Sequence, residues 1–183
     1  IRITSTPIEA SSRGGWRDSG LDEAELLFSA NPGEELRPLT KIASGGESSR
    51  FMLALKTVAA KGESPKTLIF DEVDAGIEGR VADVVGEKLK ELSQSHQVVC
   101  ITHLPQIASF ADVHYRIDKT TSQGRTATRI QRLDREGRVD EIARMLAGSM
   151  VTESARRHAE QLVSEDRRCA VGLVLVVPVE GHG

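Results

Sequence analysis

Two short apolar segments that each run directly into polar side chains constrain the fold of this chain more than any other feature. Thr67–Phe70 is followed by Asp71 and Glu72, and Gln97–Thr102 is followed by His103. Short apolar runs of this kind indicate buried strands, and a helical pattern lies between them. The order strand, loop, helix, strand predicts a βαβ unit with parallel strands. Ligands gather at the carboxyl ends of such strands, where all three polar side chains fall.

Further elements are predicted on both sides of this unit. A helix should follow Ser44 and end near Gly62 and Pro65, with an apolar face made by Phe51, Leu55, Val58 and Ala59. The helix inside the unit has an apolar face of Val81, Val84, Val85, Leu89 and Leu92. Beyond the unit, the sequence predicts a β-hairpin from Val113–Asp118 and Arg125–Leu133, and then two short helices around Val139–Leu146 and Ala155–Val163.

These patterns divide the chain into three parts. Residues 1–40 form a β-rich lead-in with Ala24–Ser29 as a candidate strand, and residues 41–163 carry the motifs. Residues 164–183 change character and receive no assignment.

Composition argues against a generally disordered chain and against a strongly basic nucleic-acid-binding protein. With 39% hydrophobic residues the 183-residue chain can form a core, and the net charge of −3 gives no overall basic signal for nucleic acid. The arginines beyond Tyr115 are mixed with acids, which favours a solvated mixed face over a DNA-binding patch.

The two cysteines lack the spacing of a metal site or a disulfide framework, and Cys100 is expected in the core. The chain has no signal peptide at its start, and its longest apolar run, Ala170–Val179, is too short for a membrane helix. We therefore expect a cytoplasmic protein without membrane contact.

The turn before the first helix has the chemistry of a phosphate contact. Gly45 and Gly46 let the backbone approach a ligand closely, and Ser44 adds a hydroxyl donor. The start of the following helix directs its amide groups at the same place. The alternative is a simple helix N-cap with glycines in a turn.

The acidic pair suits metal-assisted hydrolysis. Mg²⁺ prefers oxygen ligands and retains several waters, so the Asp71 carboxylate beside a phosphate suffices as its protein ligand. Glu72 can then orient and polarise a water that attacks the phosphate. The alternative is two solvated acids at the end of a strand, or an N-cap.

His103 and Asp74 complete the candidate site. The His103 imidazole could hydrogen-bond a terminal phosphate, although a lone histidine is more often structural. Its position beside the acid-bearing strand favours the functional interpretation. Asp74, with Gly76, is either part of an ordinary turn or a contact across a subunit interface. No G-x-x-x-x-G-K-[ST] loop occurs in the sequence, so these elements could finish a nucleotide site but not hold the nucleotide alone.

At this point the motifs resemble those of the ABC-type ATPases. Ser44-Gly45-Gly46-Glu47 resembles their signature motif, Thr67–Glu72 the Walker B strand, Asp74–Gly76 the D-loop and His103 the switch histidine. The longer sequence segments around these motifs are similar to those of the RecN family. Members of that family are bacterial ATPases that act in the repair of DNA double-strand breaks and resemble SMC proteins. The segments that carry this likeness are Asn31–Glu34, Lys41–Glu47, Ser49–Lys56, Phe70–Ile77 and Thr102–Ala108. The likeness runs from about Leu26 to about Val163, and Ser48 departs from it where a leucine is usual.

The resemblance implies an α/β fold, the C-terminal lobe of an ABC-type P-loop ATPase head with parallel strands, helices, a C-terminal β-hairpin and short helices. It also implies ATP and Mg²⁺ as cofactors. Asp71 would bind the metal, Glu72 and His103 would be catalytic, and Ser44, Gly45, Gly46, Glu47 and Asp74 would contact nucleotide. The Walker A loop would come from the N-terminal half of the same protein, and this chain alone would be inactive.

The implied partners are that N-terminal half, a second head in an ATP-closed homodimer, and double-stranded DNA ends in the nucleoid. In such a dimer Ser44 and Gly46 would face nucleotide held by the other head. Two other hypotheses stay open at this point. In the first, the head is mainly a structural DNA-tethering module. In the second, it is a transporter-type ATPase subunit, an interpretation that the sequence around His103 disfavours.

Overall fold

The computed structural model describes residues 2–7, 22–29, 33–41, 45–60, 64–122, 125–148, 150–164 and 172–179. The strands are β1 (Arg2–Pro7), β2 (Asp22–Phe28), β3 (Arg37–Pro38), β4 (Thr67–Phe70), β5 (Gln97–Ile101), β6 (Val113–Ser122), β7 (Arg125–Arg132) and β8 (Leu173–Val179). The helices are α1 (Gly45–Ala59), α2 (Arg80–Leu92), α3 (Pro105–Ala108), α4 (Arg135–Ala147) and α5 (Glu153–Ser164), and a short 3-10 helix covers Leu39–Lys41.

A five-stranded sheet in the order β4-β5-β8-β6-β7 forms the centre of the fold. The first four of these strands are mutually parallel, and β7 pairs with β6 as the antiparallel hairpin that the sequence predicts. The α/β fold class is therefore confirmed, including the βαβ unit of β4, α2 and β5 and the short helices after the hairpin.

A second sheet is formed by the first part of the chain. It has the order β1-β2-β3 and is antiparallel throughout. The candidate strand Ala24–Ser29 corresponds to β2, which begins two residues earlier, at Asp22.

Strand β8 comes from the tail that the sequence left without assignment. It lies between β5 and β6 and is parallel to both, and its side chains Leu173, Leu175 and Val177 are buried. Asp112 fixes its first residue, because the Asp112 Oδ2 atom accepts a hydrogen bond from the Leu173 backbone N–H at 2.7 Å. Lys90 Nζ lies 2.6 Å from the other oxygen of this carboxylate. An apolar run far from β5 along the chain thus becomes the middle of the sheet.

The buried face of helix α1 differs from the predicted one. Phe51 and Leu53 are buried, but Leu55 and Val58 are exposed, at 40% and 80%. The prediction was wrong because α1 packs against α2 with a different face, and Leu53 rather than Leu55 belongs to the hydrophobic core. On α2 the predicted residues Val85, Leu89 and Leu92 are buried, whereas Val81 and Val84 are about half exposed.

Several arginines in the second half of the described chain are paired with acids. The pairs within hydrogen-bond distance are Arg116 with Asp118, Arg144 with Glu141, and Arg156 with Asp140. This arrangement agrees with a solvated mixed face. In the part of the chain that the structure describes, no helix is long and apolar enough to cross a membrane.

Candidate functional site at the carboxyl edge of the sheet

The parallel pairing of β4 with β5 brings the predicted polar residues to one edge. Phe70 is the register partner of Cys100, so Asp71 and Thr102 both lie just beyond the paired ends of neighbouring strands. Helix α1 starts at Gly45 and approaches the same edge from the side. The site is therefore assembled from three chain segments that the sequence pattern had already singled out.

The Asp71 carboxylate is exposed and only partly engaged. Its Oδ1 atom accepts a hydrogen bond from the Glu72 backbone N–H at 2.9 Å, and its backbone carbonyl oxygen accepts one from the Ser49 hydroxyl at 2.7 Å. Its Oδ2 atom has no hydrogen-bond partner among the described residues. Within the same residues, no group of three or more His, Cys, Asp and Glu side chains could hold a metal ion. Asp71 thus offers one free oxygen rather than part of a closed protein cage.

Glu72 has a backbone conformation that is unusual for a residue with a side chain. Its φ of 56° lies in the left-handed region, where it is alone among the non-glycine residues that the structure describes. The Ala75 N–H donates to the Glu72 carbonyl oxygen at 3.0 Å and so closes a turn. Strained conformations of this kind cost about 1–2 kcal/mol and concentrate at functional sites. The turn leaves the Glu72 side chain exposed.

The two glycines at the start of α1 allow the helix to contact the acidic loop directly. A side chain at Gly45 would collide with the Glu72 carboxylate, and one at Gly46 would place its Cβ 2.8 Å from Ala75 Cβ and 2.9 Å from the Ala75 carbonyl oxygen. Ser44 lies outside the described residues, so its predicted phosphate contact stays a prediction. Glu47, in the first turn of α1, is half-buried.

Arg50 extends this contact one turn further along α1. Its Nη1 atom donates to the carbonyl oxygens of Ala75 at 2.7 Å and Val73 at 3.2 Å. Helix α1 is therefore held against the loop after β4 by hydrogen bonds within the same chain.

Asp74 lies almost entirely inside the protein and binds the end of β5. The residue is 4% exposed. Its Oδ2 atom accepts hydrogen bonds from the Thr102 hydroxyl at 2.5 Å and from the His103 backbone N–H at 2.9 Å. The His103 Nδ1 atom lies 3.0 Å from the same oxygen, while the His103 side chain is 66% exposed. The sequence placed Asp74 at a nucleotide or a subunit interface, and that contact stays a prediction. The structure instead joins Asp74 to His103 of its own chain.

Cys100 is a core residue, as expected. Burial raises the pKa of the Cys100 thiol, and the nearby carboxylates of Asp74 and Asp71 raise it further. The thiol form is therefore favoured over the reactive thiolate. The chemistry available at this edge is that of carboxylates and an imidazole.

Three residues of the site were missed by sequence reasoning. Ser49, Arg50 and Thr102 make contacts that depend on how α1 and β5 meet the acidic loop, and no spacing signal marks them. The one usable hint was that Thr102 directly precedes His103 at the end of a strand. By contrast, Asp71, Glu72, Asp74 and His103 were all predicted, and the structure brings them to one edge of the sheet.

Comparison with known proteins gives a consistent family. No family model matches the chain. The chain is 47% identical over 154 residues to the DNA repair protein RecN of Halalkalibacterium halodurans. This match covers 84% of the chain and 27% of that protein. RecN of Bacillus subtilis is 47% identical over 81% of the chain, and RecN of Streptomyces coelicolor is 46% identical over 91% of it. The matches cover 26% and 30% of those two proteins. The chain therefore belongs to the RecN family, and it spans about a quarter of the length of the curated relatives that it matches.

Proposed function

We propose that this chain is the C-terminal part of an SMC-like ATPase head that acts in repair of DNA double-strand breaks. In this proposal ATP binding closes a dimer of two heads, and hydrolysis reopens it. The observation that carries the proposal is the meeting of Asp71, Glu72 and His103 at the carboxyl ends of two adjacent parallel strands, where ligands of such sheets bind. The names of the relatives, DNA repair proteins, support the cellular role.

The residues at this edge fit Mg-ATP. Asp71 has a carboxylate oxygen without a partner among the described residues, which suits a metal that needs few protein ligands beside a phosphate and water. Bound Mg²⁺ would supply charge neutralisation for the phosphates. Asp71 would hold the metal, and Ser49 and the Glu72 N–H already fix the orientation of Asp71.

Glu72 is the residue we assign to water activation. Its side chain is exposed, and its backbone adopts a left-handed conformation two residues after the end of β4. A carboxylate that positions the attacking water is one of the recurring parts of phosphoryl-transfer sites. His103 would hydrogen-bond the terminal phosphate from the end of β5.

The remaining parts of the site would come from elsewhere. The N-terminal half of the same protein would supply the Walker A loop. Ser44, Gly45, Gly46 and Glu47 would contact the nucleotide held by a second head, so that the terminal phosphate bridges both heads. Loss of that bridge on hydrolysis reopens the dimer. The cycle would be coupled to binding or tethering of double-stranded DNA ends.

The test is made in the protein that includes the N-terminal half. Glu72→Gln should lower the rate of ATP hydrolysis by roughly 100-fold or more, while ATP still drives dimer formation, measured by light scattering. Glu78→Gln is the matched control, because Glu78 is an exposed acid in the same loop. Unchanged turnover in Glu72→Gln would remove Glu72 from the proposed role.

A DNA-binding measurement on the same variants separates the enzyme from a purely structural tether. If hydrolysis drives the function, DNA tethering should change in Glu72→Gln. If the head only tethers DNA, tethering should survive Glu72→Gln and fail in Ser44→Arg, which blocks closure of the dimer.

A further inference from the structure

We propose that one face of the five-stranded sheet is the docking surface for helices from the N-terminal half of the same protein. This open face is made by the side chains that point away from the described helices. They are Ile69 on β4, Val99 and Ile101 on β5, Val174 and Val176 on β8, Val113, Tyr115 and Ile117 on β6, and Ile130 on β7. The inference rests on the proposed function in one respect, the presence of that N-terminal half.

The strand register places these side chains on one side of the sheet. Paired residues on neighbouring strands point to the same face, and so do residues two apart along one strand. One row crosses four parallel strands through consecutive register pairs and is made by Ile69, Val99, Val174 and Val113. The next row along the strands is apolar as well and is made by Ile101, Val176 and Tyr115. The rows form one continuous apolar surface.

The opposite face of the same sheet is covered. Its side chains have no exposed surface at Val98, Cys100, Leu173 and Leu175. All five described helices contribute residues to the core cluster that contains these four. On the open face, by contrast, Ile69 is 69% and Ile130 64% exposed, and the side chains between them are half-buried. Among the residues that the structure describes, the helical layer therefore lies on one side of the sheet.

A parallel sheet with one uncovered face is physically incomplete. Parallel sheets occur almost only with both faces covered, whereas antiparallel sheets tolerate water on one side. A strand that faces water on one side alternates apolar and polar residues. Strand β8 instead reads Leu-Val-Leu-Val-Val-Pro-Val, and β5 runs Val-Val-Cys-Ile after its first residue. Both strands thus have the composition of strands that are buried on two sides.

Helices fit this face better than a second sheet. Crossover connections place helices on the faces of parallel sheets. The row from β4 to β6 spans three gaps between strands, roughly 14 Å, which is wider than one helix of about 10 Å. Lys119 and Arg132 point to the same side near the β6–β7 margin. We therefore expect the covering helices to be apolar toward β5 and β8 and to carry acidic residues where they pass this margin.

The length of the relatives favours the same protein as the source of these helices. The matched region is 27% and 26% of the length of two RecN proteins, so about three quarters of each lies outside it. A segment of the same protein meets the face as an intramolecular partner, at an effective concentration that a separate molecule does not reach. Docking there also brings that segment beside β4, the strand that leads into Asp71. The cover is therefore assigned to the N-terminal half rather than to a second copy of this chain.

Cysteine labelling in the protein that includes the N-terminal half tests whether the face is covered. Ile69→Cys should react with a maleimide roughly 10-fold or more slowly than the same variant unfolded in urea, because the cover must open first. Met150→Cys is the control and should react at close to its unfolded rate, since Met150 is 80% exposed in the loop between α4 and α5. Mass spectrometry of the labelled peptide gives each rate. An Ile69→Cys rate close to that of the unfolded variant would overturn the inference.

Photocrosslinking in the same protein identifies what covers the face. With benzoylphenylalanine in place of Ile69, we expect crosslinks to the N-terminal half, at residues three or four apart as on one side of a helix. In a mixture of ¹⁵N-labelled and unlabelled protein, both joined peptides should carry the same isotope. Mixed isotopes would assign the cover to a second copy, and attached residues two apart would assign it to a strand. Either result, or crosslinks confined to the 183 residues of this chain, would overturn the inference.

These measurements need no ATP, so the inference and the proposed function fail separately. A protein that hydrolyses ATP while position 69 stays accessible would contradict the inference alone. A protein whose open face is covered by N-terminal helices but that does not hydrolyse ATP would contradict the proposed function alone.

Discussion

Arg50 on helix α1 donates a hydrogen bond of 2.7 Å to the carbonyl oxygen of Ala75, four residues beyond Asp71. The same Nη1 atom reaches the Val73 carbonyl oxygen at 3.2 Å. One side chain thus connects the helix that begins with the glycine pair to the loop that carries the acids.

Removal of the Arg50 guanidinium should loosen that connection. Arg50→Met retains most of the apolar stem but leaves two partly buried carbonyl oxygens without their donor, so we expect a loss of about 1–3 kcal/mol in the free energy of unfolding. Urea denaturation followed by circular dichroism measures it. Lys56→Met on the same helix is the control, and equal stability of the two variants would contradict a structural role for Arg50.

Glycine at position 72 should be tolerated by the fold although it removes the proposed catalytic carboxylate. Glu72 has a φ of 56°, a conformation that glycine adopts without strain. The relief of strain offsets the added flexibility of the unfolded chain, so Glu72→Gly should be between neutral and about 1 kcal/mol more stable than the wild type. Asp71→Gly has no such strain to relieve and loses the carboxylate that accepts the Glu72 N–H, so it should lose about 1 kcal/mol. A clear loss of thermal stability in Glu72→Gly would show that the turn is not strained.

The stability of the fold should fall in mild acid because of His114. This residue is fully buried, and neither ring nitrogen has a hydrogen-bond partner among the described residues. Burial, aided by the charge of Arg138, lowers the pKa of His114 to about 4. In the unfolded chain the ring titrates near ~6.5, so the unfolded state binds more protons between these values and becomes favoured as the pH falls.

His114→Leu removes this titration and places an apolar side chain in the buried position. Between about pH 7 and about pH 5 the wild type should lose roughly 2 kcal/mol more of its unfolding free energy than the variant. Urea titrations at the two pH values measure the difference. His158→Gln is the control, because His158 is exposed. If His114→Leu shows the same dependence on pH as the wild type, His114 does not cause it.

Strand β8 should be essential to the stability of the large sheet. Leu175 on β8 has no exposed surface, so Leu175→Ala should cost about 3–5 kcal/mol. Ile69→Ala on β4 is the matched control, because Ile69 is 69% exposed and its loss should cost less than about 1 kcal/mol. Similar midpoints of thermal unfolding for the two variants would argue against β8 as a core strand.

The sequence was most informative where local pattern and fold agree. The apolar runs before Asp71 and His103 predict β4 and β5, and the parallel pairing of two strands joined by a helix follows from general rules of chain connection. For that reason the edge of the sheet that carries the candidate site could be predicted. The likeness of the motifs then added the roles of individual residues.

Contacts between segments distant in sequence could not be predicted in the same way. Nothing in the run around Leu175 indicates that it will lie between β5 and β6, since an apolar strand fits any open position in a parallel sheet. The inward position of Asp74 depends on two donors just beyond the end of β5, the Thr102 hydroxyl and the His103 backbone N–H. The exposure of Val58 depends on how much of α1 the rest of the described chain covers. Each of these is a property of the assembled core rather than of a local pattern.

The position of β8 limits how a further strand can join the large sheet. With β8 hydrogen-bonded on both sides, the unpaired borders of this sheet, within the described residues, are the outer rims of β4 and β7. If the proposed N-terminal half adds a strand to this sheet, that strand pairs with β4, next to Asp71, or with β7 at the opposite rim, or else it displaces β8. Addition of a strand at either rim would leave the present pairing intact, whereas displacement of β8 would break the hydrogen bond between Asp112 and Leu173.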